Sequence, residues 1–283
     1  MSFAKTTVFV ASVLAATMLS LAAPGAALAG SIFLTGHDPD FHATSGNVTG
    51  ARNINNAAIN FIMNPAFNPF VASAPKFLFV ESKGSIPGGH LQGKAGIVAS
   101  GHTEGVDFDH HDFTTLNAAL NLLGTSGGYS AIVVASDFGG ILRQAELNIL
   151  NARAADIIAF LNAGGGIYAM AESNLGAGLT PSGGHFGFLP FVVSSVSLNQ
   201  SETGFTVTPF GASLGLTAAD VNNNFSHNIF LGTFGLNAVD LDNQGNIMSI
   251  AGRAQISIPE PGSLALLSTA VLALAFGLRR RRS

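Results

Sequence analysis

Ala131-Ile132-Val133-Val134-Ala135 is an unbroken apolar run, of the kind that forms a strand buried on both faces of a parallel sheet. From Arg143 to Asn162, Leu147, Leu150, Ala154, Ile157, Ile158 and Leu161 then recur at steps of three and four, leaving Asn148, Asn151, Arg153 and Asp156 largely outward, which predicts one amphipathic helix. Gly164-Gly165-Gly166 stops that helix, and Ile167-Tyr168-Ala169-Met170-Ala171 reads as the next strand. Strand, helix and strand at this spacing predict a parallel crossover unit. Moving toward the amino terminus, Ser31 to Thr35 and Lys76 to Glu81 read as strands, Ala95 to Ala99 as a weaker one, and Gly50 to Met63 as a helix. Thr114 or Thr115 is placed to cap a further helix that runs to Leu123 and ends at Gly124. Beyond Glu172, Phe191 to Leu198, Phe205 to Thr208, Ile229 to Leu231 and Ile247 to Ala251 read as added short strands, and Thr217 with Asp220 as a capping box. The expected architecture is α/β, a mostly parallel sheet flanked by helices.

The whole chain has 283 residues, 47 % hydrophobic and 10 % charged, with 34 glycines, no cysteine and a formal net charge of −4. The apolar content suffices for a packed core, so this is no charged disordered chain. Without cysteine there is no disulfide framework, no thiolate metal site and no cysteine nucleophile. The few basic residues give no electrostatic footprint for nucleic acid.

Both ends of the chain read as addresses. Lys5 precedes an apolar stretch from Thr6 to Ala23, which Pro24 and Gly25 break ahead of Ala27-Leu28-Ala29, a small-x-small signal peptidase site. Residues 1–29 therefore read as a signal peptide, implying the Sec translocon and signal peptidase as partners. At the other end, Ile258-Pro259-Glu260-Pro261-Gly262 precedes an apolar run over 263–278, read as a membrane helix, and then Arg279, Arg280, Arg281 and Arg282 in the tail 279–283. Between them, the domain 30–257 is expected to be exported. Within Ser31 to Ile258 stand 15 acidic and seven basic residues, so the exported part carries about −8.

The tripartite tail 258–283 resembles the PEP-CTERM sorting signal of Gram-negative bacteria, in which Pro-Glu-Pro, a membrane helix and a basic cluster are recognised by the membrane protease exosortase. That resemblance implies a transient inner-membrane anchor, cleavage near Pro259-Glu260-Pro261, and delivery to the cell surface or an extracellular polysaccharide matrix. A second resemblance lies in Phe160-Leu161-Asn162-Ala163-Gly164-Gly165-Gly166-Ile167-Tyr168-Ala169-Met170-Ala171-Glu172-Ser173, which looks like the helix, glycine turn and nucleophile strand of class I glutamine amidotransferase-like domains. It implies a flavodoxin-like or amidotransferase-like sheet, with active-site loops at Thr35-Gly36-His37-Asp38 and Ser136-Asp137-Phe138-Gly139-Gly140. The family's elbow cysteine is absent here.

In its place Ser173 is the serine nearest the elbow, with His185 or His227 as a base and Glu172 or an aspartate as the orienting acid. Against this, Glu172-Ser173-Asn174-Leu175 lacks the small residue a strained nucleophile elbow needs. Two clusters, His37-Asp38-Pro39-Asp40-Phe41-His42 and Asp107-Phe108-Asp109-His110-His111-Asp112, bear imidazoles and carboxylates suited to a divalent metal; the candidate ligands are His37, Asp38, His42, Asp107, Asp109, His110 and His111. Neither has a metalloenzyme spacing, and no cofactor is expected. Asp240-Leu241-Asp242-Asn243-Gln244-Gly245-Asn246 opens like a calcium loop but has Ala251 where the bidentate glutamate belongs, and reads as a hairpin turn. The expectation is an exported surface or matrix protein with a non-catalytic domain. The alternative is a secreted hydrolase using Ser173 or a His/Asp-bound metal.

Overall fold

The computed structural model describes residues 29–86, 88, 90–137, 139–172, 179, 186–198, 203–224 and 226–254. Alternate residues of the apolar strands go to opposite faces, and each face is covered. From β1 (Gly30–Thr35), Ile32 and Leu34 join one core while Phe33 joins the other. In β2 (Lys76–Val80), Leu78 and Val80 face the first core, and Phe77 and Phe79 the second. The first core is roofed by α4 (Leu116–Ala119), α5 (Gln144–Ala152) and α6 (Ala154–Asn162), through Leu116, Leu147, Leu150, Ile157 and Leu161. The second is roofed by α2 (Val48–Ile62) and α3 (Gly93–Ala99), through Ile54, Ala58, Ile59, Ile62 and Ile97. Burying a strand on both faces removes the polar alternation that an exposed sheet would show, which is why β4 (Tyr129–Val134) is buried at all six positions.

Among the described residues the sheet has ten strands and is mixed. One half is parallel, in the order β3 (Phe108–His111), β2, β4, β5 (Gly166–Ala169) and β1. The other half is antiparallel. β10 (Ile247–Ala254) lies against β1 over six residues, Gly30 opposite Ala254 through Thr35 opposite Ser249. Beyond it come β8 (Asn228–Phe230) and β6 (Ser195–Ser197), while β9 (Asn237–Leu241) pairs with β10 and β7 (Thr206–Val207) with β9. The expectation of a mostly parallel sheet is corrected accordingly, since antiparallel pairings take over from β1 onward. The physical reason is that β10 returns from β9 by a tight hairpin, which needs no crossover helix. Asp242 holds that hairpin by accepting the Gln244 and Asn246 N–H groups at 2.8 Å each, and Gly245 supplies the left-handed φ of +83°.

The expected C-terminal membrane helix is not part of the described fold. Among the described residues no helix is long and apolar enough to cross a membrane, and the run 263–278 lies outside them. Locally, Ala95 to Ala99, expected as a weak strand, belongs to a helix, α3, and the metal-ligand candidate cluster Asp107 to Asp112 contains a strand, β3. The single helix from Arg143 to Asn162 is two, α5 and α6, broken at Arg153. There the guanidinium is drawn sideways to the Asn117 carbonyl and Oδ1 at 2.9 and 2.8 Å and to Asn121 Oδ1 at 2.8 Å. Two further short helices complete the fold, α7 (Pro209–Ser213), capped by the Thr208 hydroxyl, and α8 (Ala218–Val221), whose Thr217 N–H and hydroxyl both reach Asp220 Oδ2.

Candidate functional site

Strands of the parallel half deliver acidic residues to one edge of the sheet, the carboxyl edge where open α/β sheets place their ligands. Asp38 and Asp40 follow β1, Glu81 follows β2, Asp137 follows β4 and Glu172 follows β5. All five are buried, as are His37 and His227. Charged groups so enclosed persist only when paired or hydrogen-bonded, and here the pairing can be followed residue by residue.

Asp38 precedes α1 (Pro39–His42) at its N-cap position, yet its carboxylate makes no capping hydrogen bond. It lies between two imidazoles, His42 Nε2 at 3.3 Å from Oδ1 and His227 Nε2 at 3.3 Å from Oδ2. His42 sits one turn along α1 because i and i+4 share a helix face, and its Nδ1 is 2.9 Å from the Ser45 carbonyl. His227 comes from the antiparallel half, where its N–H bonds the Gly36 carbonyl. Beside this group His37 Nε2 lies 2.8 Å from Asp240 Oδ2 on β9, with the ring edge-on to Phe205 at 5.2 Å. Both side chains are wholly buried. These two His–Asp contacts join the loop after β1 to the antiparallel strands.

Asp40 and Glu81 tie down the loops on the other side. Asp40 accepts the Ser136 N–H at 2.8 Å and the Ser136 hydroxyl at 2.7 Å, besides the Phe41 N–H at 3.0 Å. Glu81 accepts the N–H groups of Gly93 and Lys94, which open α3, and that of Ile141 at 3.1 Å. Burial pushes the Asp40 carboxyl up to about 6, with the neighbouring Asp38 charge adding, while the Ser136 hydroxyl pulls the other way. Burial likewise pushes Glu81 up to about 8, with Asp40 adding. Glycines make the approach of the loops possible. A Cβ on Gly139 would strike Asp38 Oδ2, one on Gly140 would strike Asp40 Oδ2, and one on Gly96 would strike the Asp40 carbonyl.

Glu172 accepts the Phe186 N–H at 3.0 Å, from a residue whose φ of +57° is rare without glycine. Burial, with Asp137 adding, holds its carboxyl well above the usual carboxylate range. Among the described residues its Oε1 has no hydrogen-bond partner.

Of the residues proposed from sequence, His37, Asp38 and His42 therefore meet one another's neighbourhood, and His227 joins them. The second metal cluster does not. Four strand spacings, about 19 Å, separate β3 from β1. On β3, Asp109 bonds Lys76 at 3.2 Å and the Tyr129 hydroxyl at 3.1 Å, and His111 bonds Tyr129 and Thr115 at 3.0 Å each. Asp107 accepts the Thr103 N–H at 2.7 Å, and His110 faces the Glu81 carbonyl at 3.0 Å. Among the described residues no three His, Asp or Glu side chains are arranged to hold a metal ion. Glu172 is buried as described, whereas Ser173 and His185 lie outside the described residues, as do Ala27, Pro259, Glu260, Pro261 and Arg279 to Arg282. Ala29 is seated in the fold, its carbonyl accepting Arg253 Nε and Nη2 at 3.2 Å each. Sequence reasoning missed Asp40, Glu81 and Asp240 as site residues. A carboxylate following an apolar strand was the available signal for Glu81.

Residues 257–282 match the family of the PEP-CTERM protein-sorting motif. No curated protein and no solved structure matches the chain. The matched tail is the address of a protein that is exported and sorted to the cell surface by an exosortase, its processing partner.

Proposed function

We propose that the chain is a non-catalytic protein of the cell surface or extracellular polysaccharide matrix, with 30–257 as its mature domain, cut near Pro259-Glu260-Pro261 and released there. One observation carries the non-catalytic part. At the edge where an α/β enzyme would open a cleft, His37, Asp38, Asp40, Glu81, Glu172, His227 and Asp240 are each at most 1 % exposed, so no substrate reaches them in this conformation. They bond one another, His42, His110, the Ser136 hydroxyl and backbone N–H groups, which gives them the work of fastening loops onto the sheet. An exported domain carrying about −8 stays soluble outside the cell, and repels other anionic chains unless cations screen it.

The test follows the secreted full chain. With Pro259, Glu260 and Pro261 replaced by alanine, the protein is expected to keep its tail and stay with the cells, while the parent loses the tail and leaves them. Equal mass and equal release of the two would end the sorting reading. A hydrolase panel is expected to show no turnover that depends on Glu172 or His227. Turnover abolished by Glu172→Gln would replace the non-catalytic reading with a hydrolase.

A further inference from the structure

We propose that Asp38-Pro39 is a self-cleaving peptide bond, in which the Asp38 carboxylate attacks its own backbone carbonyl carbon and Pro39 becomes a new amino terminus. Three independent features of the fold meet at this bond. First, Asp38 stands at the N-cap of α1 with a carboxylate that does not cap. His42 and His227 hold it, each Nε2 at 3.3 Å, and among the described residues Oδ1 has no hydrogen-bond partner. An aspartate spent on a helix cap would have its oxygens committed to N–H groups; here Oδ1 stays uncommitted and can close a five-membered ring on its own carbonyl carbon. Second, the Asp38 carbonyl oxygen already accepts two N–H groups, from Phe41 at 3.0 Å and from His42 at 3.1 Å. These donors stand where negative charge develops when the carbonyl carbon becomes tetrahedral. Third, the leaving nitrogen is that of proline, a tertiary amide with no N–H, which departs as a basic secondary amine.

The step balances without any partner but water. An Asp38 Oδ–C bond closes a five-membered ring, and the C–N bond to Pro39 breaks with its electron pair passing to nitrogen. Nitrogen takes a proton relayed from water through the His42 imidazole, whose Nε2 lies 3.3 Å from Asp38 Oδ1. Water then opens the cyclic anhydride, leaving Asp38 with two free carboxyl groups. Asp38 is 1 % exposed, so in the folded chain its own carboxylate is better placed than any bulk nucleophile. Cleavage leaves the molecule assembled, because β1 stays paired with β5 on one side and β10 on the other. The cut is visible only after unfolding.

The experiment incubates the purified secreted chain at pH 6, unfolds samples at intervals, and reads intact mass together with the amino-terminal sequence. Expected are a fragment ending at Asp38 and one beginning Pro39-Asp40-Phe41, appearing at a first-order rate that does not change with protein concentration. Pro39→Ala keeps a residue suited to the first helical position and restores an ordinary amide; it should slow the cut at least about tenfold. The parent held unfolded in urea should slow as much, which separates assistance by the fold from the ordinary lability of the bond. An Asp38-Pro39 bond that stays whole in the folded parent, a rate that rises with protein concentration, or equal rates folded and unfolded would each overturn the proposal.

Discussion

Removing the His37 side chain tests whether the two halves of the sheet are held together at the carboxyl edge. In His37→Ala the imidazole 2.8 Å from Asp240 Oδ2 disappears, and with it the edge-on contact to Phe205. Asp240 is wholly buried and, among the described residues, its other oxygen has no hydrogen-bond partner, so the variant encloses a carboxylate that has lost the His37 imidazole. Breaking a buried pair on one side costs about 3–5 kcal/mol, against about 5–15 kcal/mol for the total stability of a domain. For a domain of this size that is a fall in Tm of roughly 6–20 °C. Asp240→Ala alone should cost less, because it removes the enclosed carboxylate rather than leaving it without its imidazole. The double variant should cost less than the sum of the two, with a coupling of about 0.5–3 kcal/mol. Urea unfolding followed by far-ultraviolet circular dichroism measures all four proteins. A loss under about 1 kcal/mol for His37→Ala, or strict additivity in the cycle, would refute the claim that this pair fastens β9 to the loop after β1.

Glu81, raised by burial from an ordinary 4.5 to about 8, binds its proton more tightly folded than unfolded. Its contribution is therefore full below pH 4.5 and lost as pH climbs through 8, so the urea midpoint should fall from pH 5 to pH 8 and fall less in Glu81→Gln. Asp40, raised to about 6, adds to the lower part of that decline. Gly96→Ala should destabilise by about 1–3 kcal/mol although alanine is the better helix former, because its Cβ would enter the Asp40 carbonyl; a stabilised variant in thermal melts would show that α1 and α3 are not so closely set. Gly101→Ala, by contrast, meets no neighbouring atom, so its cost should come from the φ of +103° alone.

The parallel half was legible because its signals are local. Ala131 to Ala135 and Ile167 to Ala171 are apolar throughout, and a strand with both faces buried has no other way to look. β3 was hidden for the opposite reason. Its inward positions are Phe108 and His110 and its outward ones Asp109 and His111, so a histidine in the core spoiled the alternation and the segment read as metal ligands. α3 was mistaken for a strand because a run as short as Ala95 to Ala99 has too few residues to show a period of 3.6.

For the site the division falls in the same place. Sequence could put His37, Asp38 and His42 on one loop, and it could read the sorting tail, whose order of motif, apolar run and basic block is written along the chain. It could not pair His37 with Asp240 or Asp38 with His227, which lie about 190–200 residues further on. Those pairings exist because β10 chose the open flank of β1 and brought β8 and β9 with it. Alternation and capping fix what each segment is, since they depend on neighbours a few residues apart; which distant strand closes a sheet edge depends on the fit of whole faces, and only the folded chain settles that.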